Sequence, residues 1–439
     1  MDEHVNKRLL IHVWIVCALG LFVDGYDLYI SSVAEPFINA LYHPSPFMIG
    51  LTQAAAPMGA VFGAIIVGRL SDVVGRKTLL IFNLVFFVII AVFSACAWNP
   101  ISLCFFRFLI GFGVGSDYPI CAAYLAEMMP KGKNGRFIAL AMFINCLASP
   151  IGVTAAWMMF KLHPNLEVWR LMFASGAIPA LIGLVLRAKL PESFLWKAHQ
   201  RLKQANEYRE PIFASYKKLF SPQLRKVTLC MALCWFFLDI SYYGIGLFTP
   251  SVLQALHISS ESDLLHSAND VLKSTLLVNV FVLLGASTII LFIDKINHIK
   301  LQKMGFMISF LGLFLLGLSQ TSMHSVNMTM IFAGFIAFNF FINFGPAVTT
   351  YLIPAEFYET DMRATGHGFS ASAGKFGAFV GAIFLLVVQS YVGIYLTMSI
   401  LSMSLLIGWL LTHVLSQEGW QQDIPLEVAA AESLVMTNG

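Results

Sequence analysis

Along the chain, charged and polar positions gather in short clusters separated by apolar runs, such as Thr78 to Trp98 and Val392 to Leu411. An α-helix of roughly 20 apolar residues crosses the hydrocarbon core of a bilayer. Read this way, the pattern predicts twelve membrane-spanning helices, near residues 11–36, 47–69, 78–98, 100–128, 136–160, 169–190, 225–256, 270–294, 301–320, 326–352, 364–390 and 393–415. Spans longer than the minimum are accommodated by tilt or by extension beyond the bilayer. The expected fold class is an all-α membrane protein.

The longest polar interruption, from Pro191 to about Pro222, follows the sixth span and divides the chain six plus six. The expected organisation is an N-terminal six-helix half over 1–190, a linker over 191–224, a C-terminal six-helix half over 225–415 and a solvated tail over 416–439. Phe194, Trp196 and Leu202 give the linker the look of short amphipathic helices at the membrane surface. The tail carries Glu418, Asp423, Glu427 and Glu432 and no basic residue. A repeat supports the division. The fourth helix of each half ends on a carboxylate, Glu127 or Glu356, and an arginine, Arg136 or Arg363, precedes its fifth. Related halves around a central site are how many secondary transporters are built.

Composition agrees with the pattern: 58% of the 439 residues are hydrophobic and 12% charged, against roughly a quarter charged in a soluble domain. A single soluble core, a disordered chain, a collagen-like fibre and a nucleic-acid binder are thereby excluded, despite a net charge of +3. Of the 27 Lys and Arg, Lys161, Arg170 and Lys273 face away from the termini and Arg107 and Lys375 lie inside spans. The rest fall in loops on the side of the termini, which predicts that both termini are cytoplasmic. The seven cysteines sit in apolar stretches without metal or redox spacing and read as buried hydrophobes. The first apolar stretch reaches Ala34 and contains Asp24 and Asp27, so it reads as a retained span rather than a cleaved signal.

Ionisable residues within spans are costly and are candidates for function. Here they are Asp24 and Asp27 in span one, Arg107 and Asp117 in span four, Asp239 in span seven and Lys375 in span eleven. In span seven, Trp235, Asp239 and Tyr242 or Tyr243 follow i, i+4, i+7/8 spacing, so an indole, a carboxyl and a phenol share one stripe. In span four, Gly111, Gly113 and Gly115 precede Ser116-Asp117-Tyr118-Pro119. Glycines so placed permit close helix approach, and Pro119 frees a backbone carbonyl.

The loop between spans two and three reads Gly68-Arg-Leu-Ser-Asp72-Val-Val-Gly75-Arg76-Lys77. It matches position by position the G-x-L-x-D-x-x-G-R-K signature of the major facilitator superfamily, which the chain resembles. Asp72 is suited to accept bonds from a neighbouring helix N-terminus and to pair with arginine, holding that side in one state. Gly68, Asp72, Gly75, Arg76, Glu127, Arg136, Glu356 and Arg363 form the expected gating set. The corresponding loop of the second half, Asp294 to His298, lacks the glycines, so a second latch there is expected to be weaker.

Beyond that loop the chain resembles the proton-coupled phosphate symporter branch. The matching stretches are Asp24-Gly-Tyr-Asp27-Leu28, Gly111 to Pro119, Trp235/Asp239/Tyr243, Asn343-Phe-Gly345 with Thr349-Thr350, and Arg363 through Ala378. The resemblance implies that Tyr118, Trp235, Asp239 and Tyr243 contact the solute with Lys375 nearby. It also implies a proton route through Asp24 and Asp117, to which the intramembrane Asp27 and Arg107 are joined as coupling candidates. Ser116 replaces a glycine of the branch, Phe143 its glutamine and Ala347 its asparagine. Losing two amides from an anion cradle removes hydrogen bonds that a buried anion needs, which opens the alternative of a larger organic phosphate or carboxylate. Asp24-Gly-Tyr-Asp27 is also similar to the aromatic-acid symporters and Pro191-Glu-Ser193 to the sugar porters. An exporter is disfavoured because span five carries only a fragment of the exporter glycine-proline pattern. No HExxH, GxSxG or GxGD motif marks an enzyme.

An anion beside Asp239 in low dielectric is repelled unless one of the two holds a proton, so anion and proton bind together better than either alone. The expectation is a proton-coupled importer of a small anion such as phosphate, working by alternating access. It would be a monomer in the bilayer of a bacterial inner membrane, using protons as coupling ion and no cofactor, metal or nucleic acid.

Overall fold

The computed structural model describes residues 7–130, 132–205, 214–246, 264–322 and 325–417. The first half contains α1 (Lys7–Tyr42), α2 (Pro46–Val74), α3 (Arg76–Ala95), α4 (Pro100–Met128), α5 (Asn134–Leu162), α6 (Val168–Ser175) and α7 (Ala177–Ala188). The linker supplies α8 (Phe194–Ala205) and α9 (Ala214–Leu219). The second half contains α10 (Arg225–Gly246), α11 (Leu264–Phe292), α12 (His298–Gly317), α13 (Met328–Phe344), α14 (Pro346–Phe357) and α15 (Arg363–Gln417). The fold is the expected all-α one, with only a small antiparallel pair, β1 (Gln320–Ser322) with β2 (Ser325–Val326), joining α12 to α13 among the described residues.

Eleven helices among the described residues are long and apolar enough to cross a membrane, and α11 adds a shorter apolar stretch, Leu276–Phe292. The expected spans are present, with three differences. Span six is interrupted at Gly176 between α6 and α7, and span ten at Gly345 between α13 and α14. Spans eleven and twelve run together as α15, bent at Gly393, whose φ of 78° lies in the left-handed region open to glycine. The outer end of span seven, residues 247–256, and the acidic tail beyond Gln417 lie outside the described residues.

Local chemistry sets several helix starts. Asn99 accepts from Ser102 N at 2.7 Å, the Ser102 side chain reciprocates, and Pro100 needs no donor partner, so α4 begins on a capping box. The glycines of α4 act by size. A Cβ on Gly111 or Gly115 would strike the backbone of Ala56 or Ala60 on α2, and one on Gly59 or Gly63 of α2 would strike Phe108 or Phe112 on α4. In lipid, where apolar burial contributes little between helices, this backbone proximity and its dispersion energy hold the pair together.

The halves meet along two seams, α2 against α15 and α5 against α11, with α4 also reaching α15. The linker helices cap one end of the assembly, hereafter the linker side. Five of the seven cysteines are buried and Cys104 is half-buried, but Cys96 is exposed, because it closes α3 where the span leaves its neighbours.

Candidate functional site

Four polar clusters stand inside or at the end of this apolar bundle, and three of them contain the ionisable residues singled out from the sequence. The first lies on the seam between halves. Trp235, Asp239 and Tyr243 fall on successive turns of α10 and face Lys375 of α15. The Lys375 ammonium donates to Asp239 Oδ2 at 3.2 Å and to the Tyr243 hydroxyl at 2.7 Å. It lies 4.5 Å from the centroid of Tyr118, contributed by α4 of the other half, and 4.3 Å from that of Tyr243. α15 approaches closely enough because Gly374 faces the Trp235 indole, and Gly377 and Gly381 face the backbone of Phe236 and Ile240. Toward the linker side, Trp235 packs 6.1 Å from Tyr351 and 5.5 Å from His367, and the Tyr351 hydroxyl donates to Tyr118 O at 3.1 Å. All five residues that the resemblance places at the solute are thus brought together, in a site that is shut on this side by rings.

The second cluster is an ion pair in the first half. Arg107 Nη1 donates to both oxygens of Asp27 at 2.8 and 2.7 Å, and its guanidinium lies over the Phe173 ring. The third cluster corrects the loop assignment of Arg187. Counted among the loop cations, it is in fact fully buried, in the last turn of α7. Its Nη1 donates to Asp117 Oδ1 at 2.9 Å and to Leu80 O at 2.6 Å, and its Nη2 to Asp117 Oδ2 at 2.5 Å. Asn83 adds a bond to Asp117 Oδ1 at 2.9 Å. Gly20 makes room, since a side chain there would occupy the place of the Arg187–Asp117 pair. Arg69 and Arg76, also counted as loop cations, are likewise buried.

Asp24 is different. It is 2% exposed, and its Oδ2 has no hydrogen-bond partner among the described residues. It lies within electrostatic reach of Asp117, Arg187, Asp27 and Lys375, between the two arginine-neutralised carboxylates and the seam. Of the three aspartates singled out inside spans one and four, Asp27 and Asp117 hold arginines, and no ion pair joins Asp24 to a cation among the described residues.

The fourth cluster closes the linker side. Asp72 accepts from Ala364 N at 3.3 Å, Thr365 N at 2.8 Å and Thr365 Oγ1 at 2.6 Å, the first turn of α15, where unpaired N–H groups and the helix dipole favour a negative charge. Arg76 Nη2 bridges Asp72 at 2.8 Å and Glu127 at 2.9 Å. Glu127 also meets Arg363 at 3.5 Å and Ser193 Oγ at 2.5 Å. Gly75 (φ 112°) turns the chain beneath Glu192, whose carboxylate accepts from Arg76 N at 2.9 Å and Lys77 N at 3.1 Å, and a Cβ on Gly68 would press on Ala364 O. The second half has a smaller counterpart, in which Asp294 accepts from Arg136 N at 3.1 Å and Glu356 pairs with His298 at 3.1 Å. The Arg136 side chain is exposed, so this member of the gating set contributes its backbone amide and not its guanidinium.

Sequence reasoning missed Arg187, Asn83, Tyr351 and His367 as site neighbours. Two of them carried a signal: the apolar run of span six continues past Arg187 to Leu190, which places it inside the span, and His367 lies within the matching stretch Arg363 to Ala378.

The matches to known proteins agree with this geometry. The Major Facilitator Superfamily model matches residues 17–382. A low affinity inorganic phosphate transporter of Medicago truncatula is 28% identical, covering 84% of this chain and 81% of its own. One of Petunia hybrida is 29% identical, covering 88% and 84%. The proton:xylose symporter XylE bound to 6-bromo-6-deoxy-D-glucose superposes with a TM-score of 0.77 at 18% identity over 93% of this chain and 96% of that one. The human organic anion transporter MFSD10 superposes at 0.69 and 14% identity over 93% and 100%. With the matched region running through both helical halves, the chain belongs to the Major Facilitator Superfamily.

Proposed function

We propose that this secondary transporter carries a small phosphate-like anion together with a proton, the coupling running through the Lys375–Asp239 pair. The single observation behind this is that Lys375, the cation beside Trp235, Tyr243 and Tyr118, already holds an internal anion. Lys375 has three N–H donors, two of them committed to Asp239 and Tyr243. An entering anion has to compete with the Asp239 carboxylate for that ammonium. A proton on Asp239 removes the competitor and leaves Lys375, Tyr243 and Tyr118 to receive the anion. Proton and anion then favour each other's binding, as linkage requires of a symporter. The names of the relatives, inorganic phosphate transporters, support phosphate as the first solute to test.

Asp24 is the natural second proton carrier: like Glu35 it is buried with a carboxylate oxygen that has no hydrogen-bond partner among the described residues, and it lies within electrostatic reach of Lys375. Asp27 and Asp117, each held by an arginine at 2.5–2.9 Å, act as fixed charges beside it. The Asp72 latch holds the linker side shut, so the solute would enter here from the far side. The charge bias of the loops supports a cytoplasmic linker side and an importing direction.

The test is uptake of labelled phosphate into proteoliposomes with and without an imposed proton gradient. Wild type is expected to accumulate phosphate only with the gradient, and Asp239→Asn to lose proton-dependent accumulation while remaining folded. Gradient-driven accumulation by Asp239→Asn at the wild-type rate would sink the assignment.

A further inference from the structure

α1 runs from the linker side, where His12 meets Leu186 O at 3.2 Å, toward the far side, and it carries a third carboxyl beyond Asp24 and Asp27. Glu35 lies within the helix, about two turns past Asp27, and is 7% exposed. Asn39 Nδ2 donates to its Oε1 at 2.6 Å, and its Oε2 has no hydrogen-bond partner among the described residues. The described cations of that side are committed elsewhere. Arg107 holds both oxygens of Asp27, Arg170 pairs with Glu167 at 2.5 Å and donates to Ala95 O and the Tyr42 hydroxyl, and Lys161 lies 3.8 Å from the centroid of Trp157. α2, joined to α1 through Gln53, has no ionisable residue from 46 to 60. α11, whose Leu276 packs against the cluster holding Val33 and Phe37, has none from 276 to 292. Beyond Asp239, α10 adds the phenols Tyr242 and Tyr243.

An ionised carboxyl buried without a cation is unfavourable, and a proton is the ligand that relieves it. The position of Glu35 on the helix says where such a proton leads. Asp24, Ser31 and Glu35 follow i, i+7, i+11 spacing, which at about 100° per residue keeps them within about 20° of one line. All three are buried. Between the two acids, Ser31 Oγ donates to Gln53 Oε1 at 3.1 Å and Gln53 Nε2 donates to Ser31 O at 3.2 Å. At a rise of about 1.5 Å per residue, Ser31 stands about 6 Å along the axis from Glu35 and about 10 Å from Asp24. Its hydroxyl both gives and takes a hydrogen bond, so it is able to pass a proton on. Among the described acids of the first half, Asp24 and Glu35 are the two with a buried oxygen that has no hydrogen-bond partner. One stripe of one helix therefore carries both, with no cation between them on that line.

Resting on the function proposed above, we infer that Glu35 is a proton-binding site on the far side, which takes the driving proton from solvent and passes it along this stripe to Asp24. A proton from water binds Glu35 Oε2. It moves to the Ser31 hydroxyl by way of water while the proton of Ser31 moves on toward Asp24, and Glu35 is left as the anion that accepts the next. No other bond changes. Glu35 touches neither the solute nor Lys375, so its removal acts on proton loading and leaves the anion site intact.

Two transport modes in proteoliposomes separate loading from solute handling: gradient-driven uptake of labelled phosphate as external pH is varied, and exchange of labelled for unlabelled phosphate at equal pH. Exchange needs no net turnover of protons. Glu35→Gln is expected to slow gradient-driven uptake at least fivefold and to change its dependence on external pH, while exchange stays within about twofold of wild type and reports that the variant is folded. Glu35→Asp should restore at least half of the lost uptake. Ser31→Ala removes the relay hydroxyl and should slow uptake with exchange retained, which decides the matter if Glu35→Gln fails to fold. Uptake by Glu35→Gln at the wild-type rate and with the wild-type pH profile would overturn the inference and leave the proposed function standing. So would equal losses of uptake and exchange without rescue by Glu35→Asp, the mark of a merely structural residue. Absence of proton-driven uptake by wild type would overturn the two together.

Discussion

Replacing Arg187 by methionine probes a fully buried charge whose guanidinium makes three hydrogen bonds. The substitution keeps the length and apolar stem of the side chain but removes the guanidinium, and with it the bonds of 2.9 and 2.5 Å to Asp117 and of 2.6 Å to Leu80 O. Asp117, which is 0% exposed, keeps only Asn83 at 2.9 Å and the Cys121 thiol at 3.7 Å. Breaking a buried pair by deleting one partner leaves an uncompensated charge and costs about 3–5 kcal/mol. At about 1.4 kcal/mol per factor of ten, that is between two and four decades in the folding equilibrium. Adding Asp117→Asn to Arg187→Met removes the stranded charge and keeps an acceptor for Asn83, so the double variant should recover to within about 2 kcal/mol of wild type. The measurement is reversible unfolding in mixed micelles titrated with SDS, run as a double-mutant cycle with an expected coupling of about 2–3 kcal/mol. A cost below about 1 kcal/mol for Arg187→Met, or strictly additive losses in the cycle, would refute the claim that this pair is one buried electrostatic unit.

The latch makes a second prediction. Asp72→Asn keeps one acceptor for the start of α15 but loses the Arg76 ion pair and the charge on its bonds to Ala364 and Thr365. About 2–3 kcal/mol of bias, or roughly 30- to 150-fold, should move toward the state open on the linker side, and spin-label distances across that side would register it. An unchanged distance distribution means the latch does not set the equilibrium. In the glycine seam, Gly111→Ala drives a methyl into the Ala56 backbone and should cost about 1–3 kcal/mol. Gly152→Ala meets nothing nearer than 3.6 Å and should be neutral or mildly stabilising in the same unfolding assay. Outside the membrane, Tyr216 of α9 donates to Ile65 O at 2.6 Å. Burial first, and then the Asp72 charge, push its phenol up to about 12. Because the folded form holds this proton more tightly, its contribution to docking α9 is complete below about pH 10 and is lost as pH rises through 12. The protection factor of α9 amides, exchange rate corrected for base catalysis, should fall over that window in wild type and not in Tyr216→Phe.

The apolar runs and the charge-poor spans were enough to read the membrane-crossing helices from the chain alone, and helix periodicity to set Trp235, Asp239 and Tyr243 on one face. These features are local: a span is defined by its own length and hydropathy, and Trp235, Asp239 and Tyr243 share a face because of helix periodicity alone. Partner choice is not local. Arg187 looks like a loop cation until α7 is placed against α3 and α4, where Asp117 neutralises it. Arg136 looks like a gate residue until its side chain turns to solvent and only its amide meets Asp294. The pairing of Lys375 with Asp239 joins residues 136 positions apart, through glycines whose value is the absence of a side chain on a helix not yet positioned. Sequence therefore decided which charges enter the membrane, because each burial carries its own cost wherever the helix goes. Tertiary structure decided which of those charges cancel and which remain for a proton or a solute, because cancellation depends on distances of about 3 Å between separate helices.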